Sequence, residues 1–474
     1  MSFKFENILS VTEGKTLEFK RDISSPKPIL KTLTAFANTA GGKLIIGVSD
    51  AKTIIGIDKP LDEEEKLCSI IADSISPRLA PNVELITVEG KTLIVVEVFL
   101  SSSRPHYLKS EGIENGVYVR LGSTNRQADK ELIAELQRSA EGIAFDEMPM
   151  PELTAESLDL KSVEDLFGKY RKLSEKELLT LKILTKYQGR LVPTKGAVLL
   201  FGKERISFFP DAWIQCGRFI GKDKANIFDH TDIYDHLHLS VESIMHFLKK
   251  NAMKGADFSE IRRQDVWSIP LSIMREVVIN AIVHADYSQR GAPIRVAFFD
   301  DRIEIENPGI LLPGMTIEDM KQGVSKIRNP VIARIFRELN LIEQWGSGVR
   351  RIFKEAQEKG LPEPQIIEIG MRLRFIIPLA ELHTAQVEAQ VEAQVDLNIL
   401  SACSLSALSS AEIANALGHK QLSGNLRKAI PRLRKAGLLE YTNPSKPRSR
   451  MQKYRITDKG LVLMRNFKKS EKRK

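Results

Sequence analysis

The stretch Pro270 to Ser288, PLSIMREVVINAIVHADYS, leaves this chain little freedom. Ile273, Val277, Val278, Ala281, Ile282 and Val283 cover most sides of a helix, and a helix that is apolar on most sides must be buried. Pro270 suits its first turn, where a missing N–H is no loss. Yet Glu276, Asn280 and His284 recur every fourth residue and so share one face. A buried carboxylate or amide without a partner costs several kcal/mol, roughly 2–7 for the amide. The fold must bring something to that stripe, either another part of the chain or a ligand.

At 474 residues the chain has room for two to four domains. Its 42% apolar and 28% charged residues are an ordinary globular balance, enough for several cores. No apolar run is long enough to span a bilayer, and MSFKFENILS lacks a signal-peptide pattern. Cys68, Cys216 and Cys403 give neither a disulfide framework nor a CxxC metal spacing. The expectation is a cytoplasmic protein without a membrane partner. The net charge of +9 is uneven: Ile399 to Lys474 carries 18 Lys and Arg against 4 Asp and Glu. A neutral-to-acidic body with a basic C-terminal module points to nucleic acid.

Along residues 1–145 the pattern is mixed α+β. Helices are expected over Pro28–Asn38, Ser69–Leu79 and Lys130–Ser139, and strands over Leu44–Asp50, Val83–Val88, Thr92–Phe99 and Gly116–Ser123. Gly14-Lys15-Thr16 is not a phosphate-binding P-loop, because Leu9 stands where the motif needs its first glycine. Four pieces, Glu13…Glu18-Phe19-Lys20, Phe36-Ala37-Asn38-Thr39-Ala40-Gly41-Gly42, Gly47-Val48-Ser49-Asp50 and Tyr118-Val119-Arg120-Leu121-Gly122-Ser123, resemble in order the Schlafen AlbA-type domain, often described as DNA-binding. In some members three acidic residues form a metal-dependent RNase site. By motif position these are Glu13, Glu18 and Asp50, where converging carboxylates would hold Mg²⁺ or Mn²⁺. Arg120, with Arg104, His106 and Arg126, would contact phosphate; pairing within the protein is the alternative.

Residues 146–173, rich in Pro and polar side chains, read as a linker, and 174–380 as a helical connector followed by a second domain. Ser174 and Glu177 form a capping-box pattern. Helices are expected over Lys161–Leu173, Ser174–Thr185, Thr194–Phe201 and Tyr234–Lys250, and a strand over Ala212–Gly221. His236 and His238, two apart, do not have metal-ligand spacing and read as surface or interface histidines. Ile294–Phe299 and Arg302–Glu306 make a hairpin, with helices at Val331–Leu339 and Val349–Lys359 and a last strand at Leu373–Pro378.

Arg275-Glu276…Asn280-Ala281…His284-Ala285-Asp286-Tyr287, Phe299 to Gly309, Arg328-Asn329-Pro330 and Gly346-Ser347-Gly348 resemble the HATPase-like domain of regulators and RecG-related proteins that also carry the Schlafen AlbA-type domain. The wider group is the GHKL ATP-binding α/β sandwich. The resemblance implies ATP with Mg²⁺: Glu276 as base, Asn280 as metal ligand, His284 and Asn307 at the nucleotide, and Gly309 and Gly314 in the first glycine loop. Gly346 and Gly348 would present backbone N–H groups to phosphate. Two positions depart from the pattern. Asn307 stands where an Asp usually reads adenine, and Ala285 where relatives often have Arg. No Walker A motif occurs, so helicase activity is not expected.

Residues 381–398 hold the repeat AQVEAQVEAQVD, read as a linker helix or oligomer contact. Residues 399–474 read as a winged helix-turn-helix: helices at Ile399–Leu405, Ser410–Leu417 and about Ser423–Ala436, then wing strands at Leu438–Tyr441 and Gln452–Thr457. Leu422, Leu426, Ile430 and Leu433 form the inner face of the third helix. Asn425, Lys428, Arg432 and Lys435 lie on another face, suited to a DNA groove, although Pro431 should kink the helix. Lys446, Arg448 and Arg450 occupy the wing tip. This block resembles the winged helix common at the C-terminus of these regulators. The first expectation is an α+β multidomain, DNA-binding transcriptional regulator that senses a nucleotide, as a homo-oligomer. The alternatives are a metal-dependent RNase with RNA as partner, and an oligomeric scaffold with a degenerate nucleotide fold.

Overall fold

The structure, a computed structural model, describes residues 11–167, 174–252, 254–257, 264–267, 269–342, 348–379, 395–404, 406–417, 424–445, 449 and 452–471. It divides into two compact units, 1–219 with 227–378 and 220–226 with 379–474.

The N-terminal part of the first unit is built on the Pro26–Asn38 helix, which buries Leu33 and Phe36 completely. Gly41, at φ +74°, ends it by donating to Phe36 O at 2.8 Å. The chain then enters the Gly42–Ile46 strand. This strand pairs in parallel with Leu17–Lys20, which its own four residues do not mark as a strand, and antiparallel with Lys91–Val98, itself paired to Asn82–Val88. Leu44, Ile46, Ile94 and Val96 face the helices, while Phe19, Ile45, Leu93 and Val95 make a second apolar layer behind. The helix expected over Ser69–Leu79 lies earlier, at Pro60–Ser74. Pro77 is the reason, since the residue before a proline is steered to extended backbone. Ile75–Ser76 is accordingly a short strand paired with Tyr107–Leu108.

The segment read as a linker is folded. Met150 N donates to Pro193 O and Asp159 N to Phe201 O, and the Leu160–Phe167 helix buries Val163 and Phe167. Ser174 and Glu177 do form a capping box, but its helix stops at Thr180 and Leu184–Tyr187 is a strand. Thr194 caps the Lys195–Phe201 helix. His238 is buried and its ring lies 5.3 Å from that of Phe201, so it belongs to the core and not to the surface.

A six-stranded sheet organises the rest of this unit, in the order Ile227–Ile233, Ile214–Phe219, Ile294–Phe298, Arg302–Pro308, Arg372–Pro378, Gln365–Ile369. Ile214–Phe219 runs parallel to Ile294–Phe298, and the other pairs are antiparallel. Neither edge strand is marked by apolar alternation in its own residues, and Ile227–Ile233 is largely exposed. The Leu271–His284 helix packs on Arg302–Pro308, flanked by the Leu237–Asn251 and Gly348–Glu358 helices.

In the second unit, residues 395–403 and the helices Ser410–Ala416 and Gly424–Lys435 enclose a small core with the Leu439–Tyr441 and Tyr454–Ile456 hairpin. Leu426, Ala429, Ile430 and Leu433 are the buried residues of the third helix, which continues through Pro431. A further helix, Asp458–Glu471, follows the hairpin. The AQVE repeat up to residue 394 lies outside the described residues.

Asp146 ties the former linker to the sheet domain. Its Oδ2 accepts from Val331 N at 2.8 Å and Ile332 N at 3.0 Å, at the start of the Pro330–Glu338 helix. Burial raises its carboxyl to about 7 despite these bonds. The folded chain therefore holds this proton more tightly than the unfolded chain. The stability this confers is complete below the ordinary carboxyl value of 3.8 and is lost as pH rises through about 7. Asp146→Asn keeps an oxygen acceptor and removes the titration. Urea melts should show it with a flatter stability profile between pH 4 and pH 8 and a relative gain at the alkaline end. Asp146→Ala should lose roughly 1–3 kcal/mol by stranding two N–H groups.

Candidate nucleotide cavity and nucleic-acid surfaces

On the Leu271–His284 helix Ile273, Met274, Val277, Val278, Ile279, Ala281, Ile282 and Val283 are buried, while Glu276, Asn280 and His284 are half-buried. These three line a cavity of about 420 Å³. Arg351 Nη2 lies 2.6 Å from Glu276 Oε2, and Asn280 Nδ2 donates to Glu276 Oε1 at 3.0 Å and to Glu276 O at 2.8 Å. Arg351, and neither Arg302 nor Arg328, is the cation that meets the stripe. Arg302 instead pairs with Asp301 and Glu304, and Arg328 with Glu135. The only sequence signal was that Arg351 follows the glycine motif by one helical turn. Gly348, the first residue of that helix, comes so close that a Cβ there would overlap the Glu276 carboxylate. Gly346 lies outside the described residues.

The His284 ring has no hydrogen-bond partner among the described residues, and burial holds its pKa down at about 4. It is a neutral imidazole at pH 7. Asn307 and Gly309 line the same cavity. Asn307 Nδ2 is committed to Pro308 O at 3.0 Å, and its buried Oδ1 has no hydrogen-bond partner among the described residues. Gly309, at φ +96°, packs where a Cβ would meet the Asp286 side chain at 2.9 Å. Asn329 Nδ2 donates to Val283 O at 2.8 Å and Ala285 O at 2.7 Å, which satisfies carbonyls at the end of the stripe helix. Gly314 does not line the cavity but sits on its rim, donating to Thr39 O at 2.6 Å. Lys326 and Arg337 add cations to the cavity wall, with Lys326 Nζ donating to Pro313 O at 2.8 Å.

In the N-terminal part, Glu13 Oε1 accepts from Phe19 N at 2.8 Å, and Asp50 is exposed in the turn that follows the Gly42–Ile46 strand. Glu18 is buried between two cations, Lys20 at 2.5 Å and Arg120. Among the described residues no group of three His, Cys, Asp or Glu is placed to hold a metal ion, so the structure does not bring the three acids together. Arg120 is fully buried. Besides Glu18 it bonds Gly14 O at 3.0 Å and Asn125 Oδ1 at 2.9 Å, so its guanidinium is turned inward and not toward phosphate. His106 is likewise a core residue, bonded to Pro77 O and Ser101 Oγ.

On the Gly424–Lys435 helix Lys428 and Lys435 are exposed, and Arg432 is half-buried with its Nη2 2.8 Å from Asp396 Oδ1. Arg427 and Arg434, not singled out from the sequence, are exposed beside them. The Asn425 side chain and Lys446, Arg448 and Arg450 lie outside what is described.

Residues 13–129 match the family "Schlafen, AlbA_2", and residues 291–377 match "Putative ATP-dependent DNA helicase recG C-terminal". The chain thus carries a Schlafen AlbA_2-like region followed by a RecG C-terminal-like region. Among solved structures it is similar to the DIP2311 protein from Corynebacterium diphtheriae, at 20% identity over 97% of both chains with a TM-score of 0.42. It is also similar to the N-terminal domain of the "Putative ATP-dependent DNA Helicase RecG-related Protein" from Nitrosomonas europaea, at 30% identity over 26% of this chain and 89% of that one, with a TM-score of 0.21. No curated protein matches the chain. Among the described residues no helix is long and apolar enough to cross a membrane.

Removing one partner of a buried ion pair leaves an uncompensated charge, at about 3–5 kcal/mol. Arg120→Ala should therefore lower the unfolding midpoint of the N-terminal domain, as measured by hydrogen exchange or thermal melts. An unchanged melt with weakened nucleic-acid binding would instead make Arg120 a phosphate contact.

Proposed function

We propose that this chain is a nucleotide-responsive, DNA-binding regulator whose cavity takes a nucleoside triphosphate, ATP by resemblance, with Mg²⁺. The observation that carries this reading is the cavity itself, with the Glu276–Asn280–His284 stripe on one wall and Lys326, Arg337 and Arg351 around it. A hydrolytic site needs a carboxylate, an oxygen donor for the metal, and cations for phosphate. The donor set fits. Asn280 has its amide nitrogen committed to Glu276, leaving Oδ1 as the hard oxygen that Mg²⁺ prefers, and Mg²⁺ is commonly held by few protein ligands plus phosphates and water. When bound, the metal would neutralise phosphate charge.

Glu276 is the group to hold and accept a proton from an attacking water, once Arg351 turns from its carboxylate to a phosphate. Neutral His284 contributes a hydrogen bond without adding charge. Asn307 offers an acceptor, Oδ1, where an Asp is usual, and an amino group on the base would suit it. The C-terminal unit, with its hairpin and basic third helix, is read as a winged helix that takes duplex DNA through Lys428, Arg432 and Lys435.

Thermal melts with ATP and Mg²⁺ should rise for the wild type and stay flat for Asn280→Ala. Glu276→Gln should keep nucleotide binding and lose roughly 10²–10⁴-fold in hydrolysis. A flat wild-type melt would remove the nucleotide reading. For DNA, Lys428→Ala and Lys435→Ala should each reduce the slope of log affinity against log salt by about 0.9. Unchanged slopes would place the DNA contact elsewhere.

A further inference from the structure

The rim of the cavity, residues 310–328, is fastened to the N-terminal domain at several points. Arg328, on the cavity wall, forms a buried ion pair with Glu135 of the Lys130–Ala140 helix and also donates to Ile310 O. Ile310 itself is packed into an N-terminal core cluster with Val119, Leu132 and Leu136. Gly314, at φ +80°, donates to Thr39 O, and a Cβ there would meet Leu100 Cδ2 at 2.9 Å. Glu368, behind the rim, accepts from Leu311 N at 2.8 Å while both its oxygens lie 2.8 Å from Lys15 Nζ.

The far ends of these contacts converge. Thr39 Oγ1 accepts from Arg120 N at 2.9 Å. Gly14, next to Lys15, gives its carbonyl to Arg120 Nε at 3.0 Å. Arg120 pairs with Glu18 on the first strand. The rim and the polar centre of the N-terminal domain are thus joined by two short routes, Gly314–Thr39–Arg120 and Leu311–Glu368–Lys15–Gly14–Arg120. Leu311, Lys326 and Arg328 line the cavity, so a ligand drawn against them pulls on the rim. A buried ion pair and close backbone bonds resist sliding, so the rim shifts together with the N-terminal domain or not at all.

We propose that Glu368 and Glu135 are positioning residues that couple occupancy of the cavity to nucleic-acid binding by the N-terminal domain. The inference rests on the nucleotide reading of the cavity and goes beyond it by naming what the nucleotide controls. Coupling of this kind is reciprocal: the factor by which one ligand changes the affinity of the other is the same in both directions.

The test uses the full chain carrying Lys428→Ala and Lys435→Ala, which blunt the C-terminal module. A non-hydrolysable ATP analogue with Mg²⁺ is titrated with and without saturating oligonucleotide, using single-stranded DNA, duplex DNA and RNA in separate arms. The reverse titration is done in the same way. The expected result is a shift of about 5-fold or more, equal in both directions, with at least one oligonucleotide. Glu368→Gln keeps an acceptor for Leu311 N but loses the charge that Lys15 needs, and Lys15→Met removes the other partner. Both should bring the factor to within about 2-fold of unity while nucleotide affinity alone changes by less than about 2-fold. Glu135→Gln should act in the same direction, but the two other variants carry the test if it fails to fold. Binding of both ligands without coupling, or coupling unchanged in the variants, overturns the inference and leaves the nucleotide reading standing. No nucleotide binding removes both, and nucleotide binding without any oligonucleotide binding removes the coupling alone.

Discussion

A guanidinium taken out of water has to find a carboxylate, and Arg328 finds its partner in another domain. Its burial lowers its pKa to about 10, so it stays charged at neutral pH, with Glu135 paired to it and Glu368 adding negative charge nearby. This pair decides where the cavity rim lies, because Arg328 also holds Ile310 and leads into Asn329 and Pro330. Asn329 then closes the carbonyl end of the stripe helix, and Pro330 opens the next helix. Three consecutive residues therefore do three jobs, each forced by an unsatisfied group nearby: a charge, a helix end, and a helix start.

The same rule of compensation explains the stripe. Its polar groups satisfy one another in part, with Asn280 bonding Glu276, and Arg351 supplies the charge. The sequence showed that the stripe had to be met, since a four-residue spacing on an otherwise apolar helix has few other meanings. It could not show by what, because Arg351 is distant in the chain and looks like any other surface arginine on an amphipathic helix. Asn307 and Gly309 were visible through the family resemblance, and Gly309 does sit at positive φ. Lys326 and Arg337 carried no pattern that would set them apart.

Elements were legible where periodicity and turn residues agreed, as in the Asn82–Val88 and Lys91–Val98 hairpin and the third C-terminal helix. They were missed where strands are short or exposed, as at Leu17–Lys20 and Ile227–Ile233, whose pairing partners and not their own residues make them strands. Charged residues were the least legible. Arg120 sits in a motif that suggested phosphate, and Glu18 in one that suggested metal, yet they face each other in the interior. A motif records which residues stay together, and an inward-facing ion pair stays together as well as a binding site does.

Asp146 bears on how this chain can be taken apart. It stands between the two stretches that match known families, outside both, and yet two amides of the Pro330–Glu338 helix depend on it. The stripe helix also lies wholly before residue 291, where the second match begins. The borders seen by comparing sequences are therefore not borders of mechanical independence. A piece excised along them would keep four of the sheet's six strands and lose both the helix that walls the cavity and the residue that starts one of its neighbours. Exchange of such pieces between relatives would succeed only if the intervening segment travelled with them.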